Sequence, residues 1–148
     1  MNRGKADHKY WVHAIADQWR MYACEVFVEH YMETGRLPTF PDVLVVLQGY
    51  KIAVEIEFSL RHVLVNATRD LEVGCDEVHL LFPTARLRDA ARRKLRRHLS
   101  VGQTNRIAFL LLRAYRPNTY RQNNRFLRGK RPDQKTKPLE NGIEEGDE

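Results

Sequence analysis

Three carboxylates stand out by their spacing. Asp42 follows Pro41 and opens the run Val43-Leu-Val-Val-Leu47. Glu55 and Glu57 lie two apart in Lys51-Ile-Ala-Val-Glu-Ile-Glu57, and a Gln48-Gly49-Tyr50 turn separates the two runs. Side chains alternate faces along a strand, so Ile52, Val54, Ile56 and Phe58 are predicted to face the core while Lys51, Ala53, Glu55 and Glu57 face the other way. The two glutamates would then sit roughly 6.6 Å apart at Cα, with Asp42 beside them on the partner strand. Glutamate is depleted in strands, and three clustered carboxylates repel unless a cation lies among them. A divalent ion with a preference for oxygen ligands, Mg2+ or Mn2+, would relieve that repulsion. The plain alternative is a solvated acidic face partly neutralised by Lys51.

Such a hairpin needs supporting elements, and the chain supplies them in order. Residues 1–7 are expected to lack structure, with a helix from about His8 carrying the apolar stripe Trp11, Ile15, Trp19 and Tyr22. Residues 24–31, centred on Val26-Phe-Val28, are predicted as a strand, in preference to one helix running from 8 to 34 and stopping at Gly35. Residues 32–41 form a loop into the hairpin. Ser59 is a candidate cap for a helix with apolar positions Leu60, Val63, Leu64, Ala67 and Leu71, ended by Gly74. Glu77–Phe82 is a buried strand stopped by Pro83, with Thr84 as a cap for a basic helix from Ala85 to about Leu99. A loop from Gly102 to Arg106 then leads to a central strand over 107–112.

At 148 residues the chain has room for one domain and a tail. No apolar run approaches the roughly 20 residues of a membrane span and no signal-peptide core opens the sequence, so a cytoplasmic protein without a membrane partner is expected. Cys24 and Cys75 have neither a CxxC nor a Cys/His ligand spacing, and His8, His13 and His30 do not form a zinc set. The net charge of +6 points to a polyanionic partner, nucleic acid first. The basic residues are concentrated late in the chain. Arg86, Arg88, Arg92, Arg93, Lys94, Arg96 and Arg97 crowd one helix. Eight more lie in residues 116–137, among them Arg121, Arg125, Arg128, Lys130 and Arg131, before an acidic end. These two groups are the expected phosphate grip, with Tyr115, Tyr120 and Phe126 as candidates to stack on unpaired bases. Residues 116–148 are read as a disordered tail behind a domain of residues 1–115.

The order helix, strand, strand, strand, helix, strand, with Pro-Asp before the second strand and Glu-x-Glu on the third, resembles the PD-(D/E)XK nuclease superfamily over roughly residues 8–82. The resemblance implies an α/β fold with a restriction-endonuclease-like αβββαβ core, here in a mixed sheet of about five strands with an extra basic helix and strand. It also implies that Asp42 and Glu55 hold a catalytic metal, together with the backbone carbonyl of Ile56, for hydrolysis of DNA phosphodiester bonds. The usual lysine of the third motif position is replaced by Glu57, as in some restriction enzymes of the superfamily, which leaves Glu57 as a proton acceptor or second metal ligand and Lys51 or Arg61 as a substitute positive charge. Glu25 and Glu29 are candidate accessory acids, and Asn66 and Arg69 are candidates to contact phosphate or order the acids. The segment from Ala53 to Ser59, with Asn66, Asp70-Leu71 and Gly74-x-Asp76-x-Val78 after it, looks like a branch of the superfamily found beside ATPases and in mobile-element proteins. Members that cut both strands often pair, so a homodimer is a further expectation. Two other classes stay open: a catalytically inactive nucleic-acid-binding or assembly module on the same fold, and an RNA-binding accessory protein.

Overall fold

The computed structural model describes residues 3–22, 25–28 and 40–117. The expected first strand survives as β1 (Glu25–Val28), and the rival continuous helix does not form: α1 (Arg3–Arg20) ends before it. That helix starts at Arg3 and not near His8, which corrects the reading of residues 3–7 as unstructured. β2 (Val43–Leu47) and β3 (Tyr50–Ile56) make the hairpin. Its two-residue turn places Gln48 at φ 52° and Gly49 at φ 86°. Positive φ at both positions is what a tight hairpin turn matching the strand twist requires.

After β3 come α2 (Val63–Glu72), β4 (Glu77–Phe82), α3 (Ala85–His98), a single-turn α4 (Val101–Thr104), β5 (Ile107–Leu111) and a 3-10 turn at Leu112–Ala114. Ser59 does not cap α2. Its Oγ accepts instead from the Arg61 N–H, and the helix begins four residues after it, behind His62. Gly74, at φ 101°, does end α2, with the Cys75 N–H returning to the Asp70 carbonyl. Thr84 caps α3 by accepting from the Leu87 N–H at 3.2 Å. The segment expected to be a loop at Gly102–Arg106 is partly helical, because Ser100 and Gln103 close a reciprocal cap around the first turn of α4.

The five strands form one mixed sheet in the order β1-β2-β3-β4-β5. β1–β2 and β2–β3 are antiparallel, β3–β4 and β4–β5 parallel. Each parallel step needs a crossover, supplied by α2 and then α3, and both helices cover the same face. Their cluster holds Ala53, Val63, Ala67, Leu71, Val78, Leu80, Phe82, Ala91 and Leu95. α1 covers the opposite face, where Ile15, Trp19, Val43, Val45, Ile52, Val54, Ile56 and Leu81 meet. Two covered faces leave β3 buried at every position from Ile52 to Ile56. The expectation of one core face and one acidic outer face is corrected accordingly: the acids point into the α2 side. Phe58, expected in the core, lies past the strand end and is exposed. Positions 24 and 29–31 of the expected strand, the loop at 32–39 and the tail from 118 lie outside the described residues; Tyr115 and Pro117, at the domain's C-terminal limit, are buried.

Candidate functional site

The Val43↔Val54 pair sets the register, and one step further along the hairpin Asp42 stands opposite Glu55. The Asp42 N–H points at Glu55 Oε1 at 3.4 Å. Asp42 Oδ2 accepts from the Ile56 N–H at 2.8 Å and lies 3.0 Å from His8 Nε2 on α1. Past the end of β3 the Glu57 N–H donates to the Leu81 carbonyl, so the chain still follows the parallel ladder and Glu57 keeps the parity of Glu55. α2 then lays its first two turns over these acids. Asn66 Nδ2 donates to Glu57 Oε2 at 2.9 Å, and Arg69 Nη2 to Glu55 Oε2 at 2.7 Å. Arg69 also reaches Asp70 Oδ1, through Nε at 3.2 Å and Nη2 at 3.0 Å.

Asp70, named from the sequence only as part of the second resemblance, and His8 are the site residues to which sequence reasoning gave no role. Asp70 occupies the buried stripe of α2 with Val63, Ala67 and Leu71, and its exposure is 0%. An acid at a core position of an amphipathic helix was the available signal. Its Oδ2 receives no N–H or hydroxyl among the described residues. The group within hydrogen-bonding reach is the Glu55 carboxyl, which can donate only when it carries a proton.

Four carboxyls thus meet where β2 begins and β3 ends, all of them buried. Burial is the main cause of the upward shift at Glu55, reinforced by Asp70 and Asp42 and opposed by Arg69. Burial also raises Asp70, against the contacts with Glu55 and Arg69. Glu57 is pushed up to about 7, first by burial and then by Asp42 and Asp70, with the Asn66 hydrogen bond and His8 acting the other way. Arg69 and His8 do not balance four negative charges, so near neutral pH the cluster retains protons or takes up a cation. The donor set, all oxygen and rich in carboxylate, suits a hard divalent ion. The arrangement of the side chains is more restrictive: Arg69 bonds both Glu55 and Asp70, and among the described residues no three His, Cys, Asp or Glu side chains converge to hold a metal.

The remaining sequence candidates divide. Asn66 and Arg69 join the acids. Lys51 does not: it is exposed at the opposite end of β3, where its backbone pairs with Asp76. Arg61 is exposed in the turn before α2. Glu25 pairs in register with Val46, at the far end of β2 from Asp42, on an exposed edge strand. Glu29 lies outside the described residues, as do Arg121, Arg125, Arg128, Lys130 and Arg131 of the tail. On α3, Arg86, Arg93, Arg96 and Arg97 are the sequence-predicted phosphate ligands that point away from the sheet. Arg88 and Arg92 bond Asp89, Arg92 also lies over the Phe109 ring, and Lys94 donates to the Leu60 carbonyl in the loop that leaves Glu57.

A second polar group lies on the other face of the sheet. Buried His79 bonds Tyr115 Oη through Nδ1 at 2.8 Å and Glu77 through Nε2 at 3.2 Å. Tyr115 Oη also accepts from Trp19 Nε1 at 3.1 Å, and Tyr50 Oη donates to Glu77. Tyr115 is therefore a core residue and not a stacking platform, which corrects its place among the tail aromatics. Compared with protein-family models, with curated proteins and with solved structures, the chain shows no match in any of the three.

Proposed function

We propose that this chain is a divalent-metal-dependent nuclease that hydrolyses DNA phosphodiester bonds. The observation that carries the proposal is the placement of Asp42 opposite Glu55 across a hairpin, with Glu57 on the same side, at the carboxyl end of the strand where the sheet turns from antiparallel to parallel. In open α/β sheets ligands bind outside the carboxyl ends of the strands, which is where this cluster lies. The element order α1-β1-β2-β3-α2-β4, with α1 and α2 on opposite faces, supports a restriction-endonuclease-like core as the setting.

Asp42 and Glu55 would hold Mg2+ or Mn2+, which supplies charge stabilisation at the phosphate and a more acidic bound water. The protein's own residues do the rest. Glu57, pushed up to about 7, accepts a proton near neutral pH, and Asn66 fixes its orientation. His8 and the Ile56 N–H hold the Asp42 carboxylate in place. Arg69 offsets one of the charges of Glu55 and Asp70, and it must give way, or the acids must turn, for several carboxylates to face one ion. The exposed arginines of α3 grip flanking phosphates, which separates the cationic surface from the acids.

The second reading, an inactive nucleic-acid-binding module, is favoured by that same Arg69, which already occupies two of the four acids. The deciding experiment incubates plasmid, linear and branched DNA, and RNA, with wild type and Glu55→Gln in Mg2+, Mn2+ and EDTA. The nuclease reading expects cleavage by wild type in either metal, none in EDTA, and a large loss in the variant with binding retained. Intact substrates throughout, with no divalent binding by calorimetry, select the module.

A further inference from the structure

Among the described residues, three phenylalanines are exposed: Phe27, Phe40 and Phe58. Two of them bracket the acid cluster. Phe40, 43% exposed, stands two residues before Asp42; Phe58, 39% exposed, directly follows Glu57. Single exposed apolar side chains are common, but the positions of these two are specific. The Phe58 ring is also held: its edge meets His8 at a centroid distance of 6.2 Å and an angle of 74°, and His8 in turn bonds Asp42. Lys94 fastens the loop beyond it to the basic helix α3.

A phosphodiester entering this site meets carboxylates that repel it and rings that offer it nothing. Its binding energy must come from its neighbours. The arginines of α3 can take flanking phosphates, while a benzyl ring recognises only a flat apolar surface such as a base. In a duplex the faces of the bases are already covered by stacking; only unpaired bases present them. We propose that Phe40 and Phe58 form a stacking platform at the rim of the acid cluster that selects unpaired bases, so that the substrate is single-stranded DNA or the unpaired segment of a branched or frayed duplex. This inference rests on the nucleic-acid reading above and narrows its substrate class.

The test measures full-chain binding in EDTA, where cleavage is silent. The probes are a single-stranded oligodeoxynucleotide carrying 2-aminopurine, an abasic strand of equal length and a blunt duplex. The proteins are wild type, Phe40→Leu, Phe58→Leu, the double variant and Phe58→Trp. Leucine keeps apolar bulk and removes the π face, and a melting curve for each variant separates loss of packing from loss of stacking. The expected result is stronger binding of the single strand than of the abasic strand by wild type. Each leucine should cost roughly 5-fold to 100-fold on the single strand alone, and Phe58→Trp should retain affinity and quench 2-aminopurine. If both leucine variants match wild type on the single strand, or weaken binding equally on the abasic strand and the duplex, the stacking platform is wrong while the nuclease reading stands. If wild type binds none of the three probes, both fall.

Discussion

Arg69 Nη2 stands 2.7 Å from Glu55 Oε2 and 3.0 Å from Asp70 Oδ1, so one guanidinium bridges two carboxyls that also lie within hydrogen-bonding reach of each other in the core. Removing one member of a buried charge group leaves the others uncompensated, although the residual 21% exposure of the Arg69 side chain softens that cost. Arg69→Met is expected to destabilise the fold by about 1–3 kcal/mol at pH 8 and by less at pH 5, because burial raises the Glu55 carboxyl well above its ordinary range and favours its protonated form as pH falls. Urea unfolding at the two pH values measures the difference. Under the metal proposal, millimolar Mg2+ or Mn2+ should restore more stability to this variant than it adds to wild type.

Glu57 gives a pH signature of opposite sense to that of an ordinary surface acid. Its carboxyl is raised from 4.5 to about 7, so between those values the folded state binds more protons than the unfolded chain. Stability from this group is full below about pH 4.5 and is lost as pH rises through 7. Relative to Glu57→Gln, wild type should lose on the order of 3 kcal/mol between pH 4.5 and 8, read from denaturant midpoints. Asn66→Ala removes the hydrogen bond that opposes this shift and should move the transition to higher pH.

The Trp19–Tyr115–His79 chain predicts a purely structural phenotype. Tyr115→Phe leaves Trp19 Nε1 and His79 Nδ1 buried without the hydroxyl they share, at a cost of about 2–4 kcal/mol in unfolding free energy. His79 adds a pH dependence, because burial lowers its pKa against the pull of Glu77. The unfolded chain therefore protonates first, and the stability present above about pH 6.5 is lost as pH falls below it. Under the proposed function, cleavage per folded molecule should not change, since this group lies on the α1 side of the sheet and the acids on the α2 side.

Arg93 and Arg97 lie four residues apart, so they share one side of α3. Arg93→Gln with Arg97→Gln should leave the melting temperature in place and weaken binding to every sequence alike. On a duplex the slope of log affinity against log salt should shrink by roughly 0.9 for each phosphate that the variant no longer neutralises. An unchanged slope would remove this side of α3 from the grip. Deletion of the tail is best made after Pro117, because Tyr115 and Pro117 belong to the core.

What could be read in the sequence was local. Gln48-Gly49 between two β-branched runs specified the hairpin, its period placed Glu55 and Glu57 on one side, and Val26-Phe-Val28 marked β1 although no glycine or proline separated it from α1. What escaped was decided by partners distant in sequence. Period two cannot tell whether a second layer covers the other face; α2 and α3 do, and they turn an expected outer acidic face into a buried one. Asp70 was hidden because its neighbours Ala67 and Leu71 read as ordinary core, and Phe58 looked like core because the alternation was carried two residues past the strand's end. Lys51 shares the parity of Glu55, but four residues of strand, about 13 Å, separate the two.

The bond from Trp19 to Tyr115 joins positions 96 residues apart. A ribosome adding about 5–20 residues per second reaches Tyr115 roughly 5–20 s after Trp19. Throughout that interval the indole N–H lacks its hydroxyl partner, and the part of the α1 face that Leu112 and Tyr115 cover stays open. Premature termination anywhere before Tyr115 should therefore yield fragments that need chaperones or aggregate, even when the hairpin and α2 are complete.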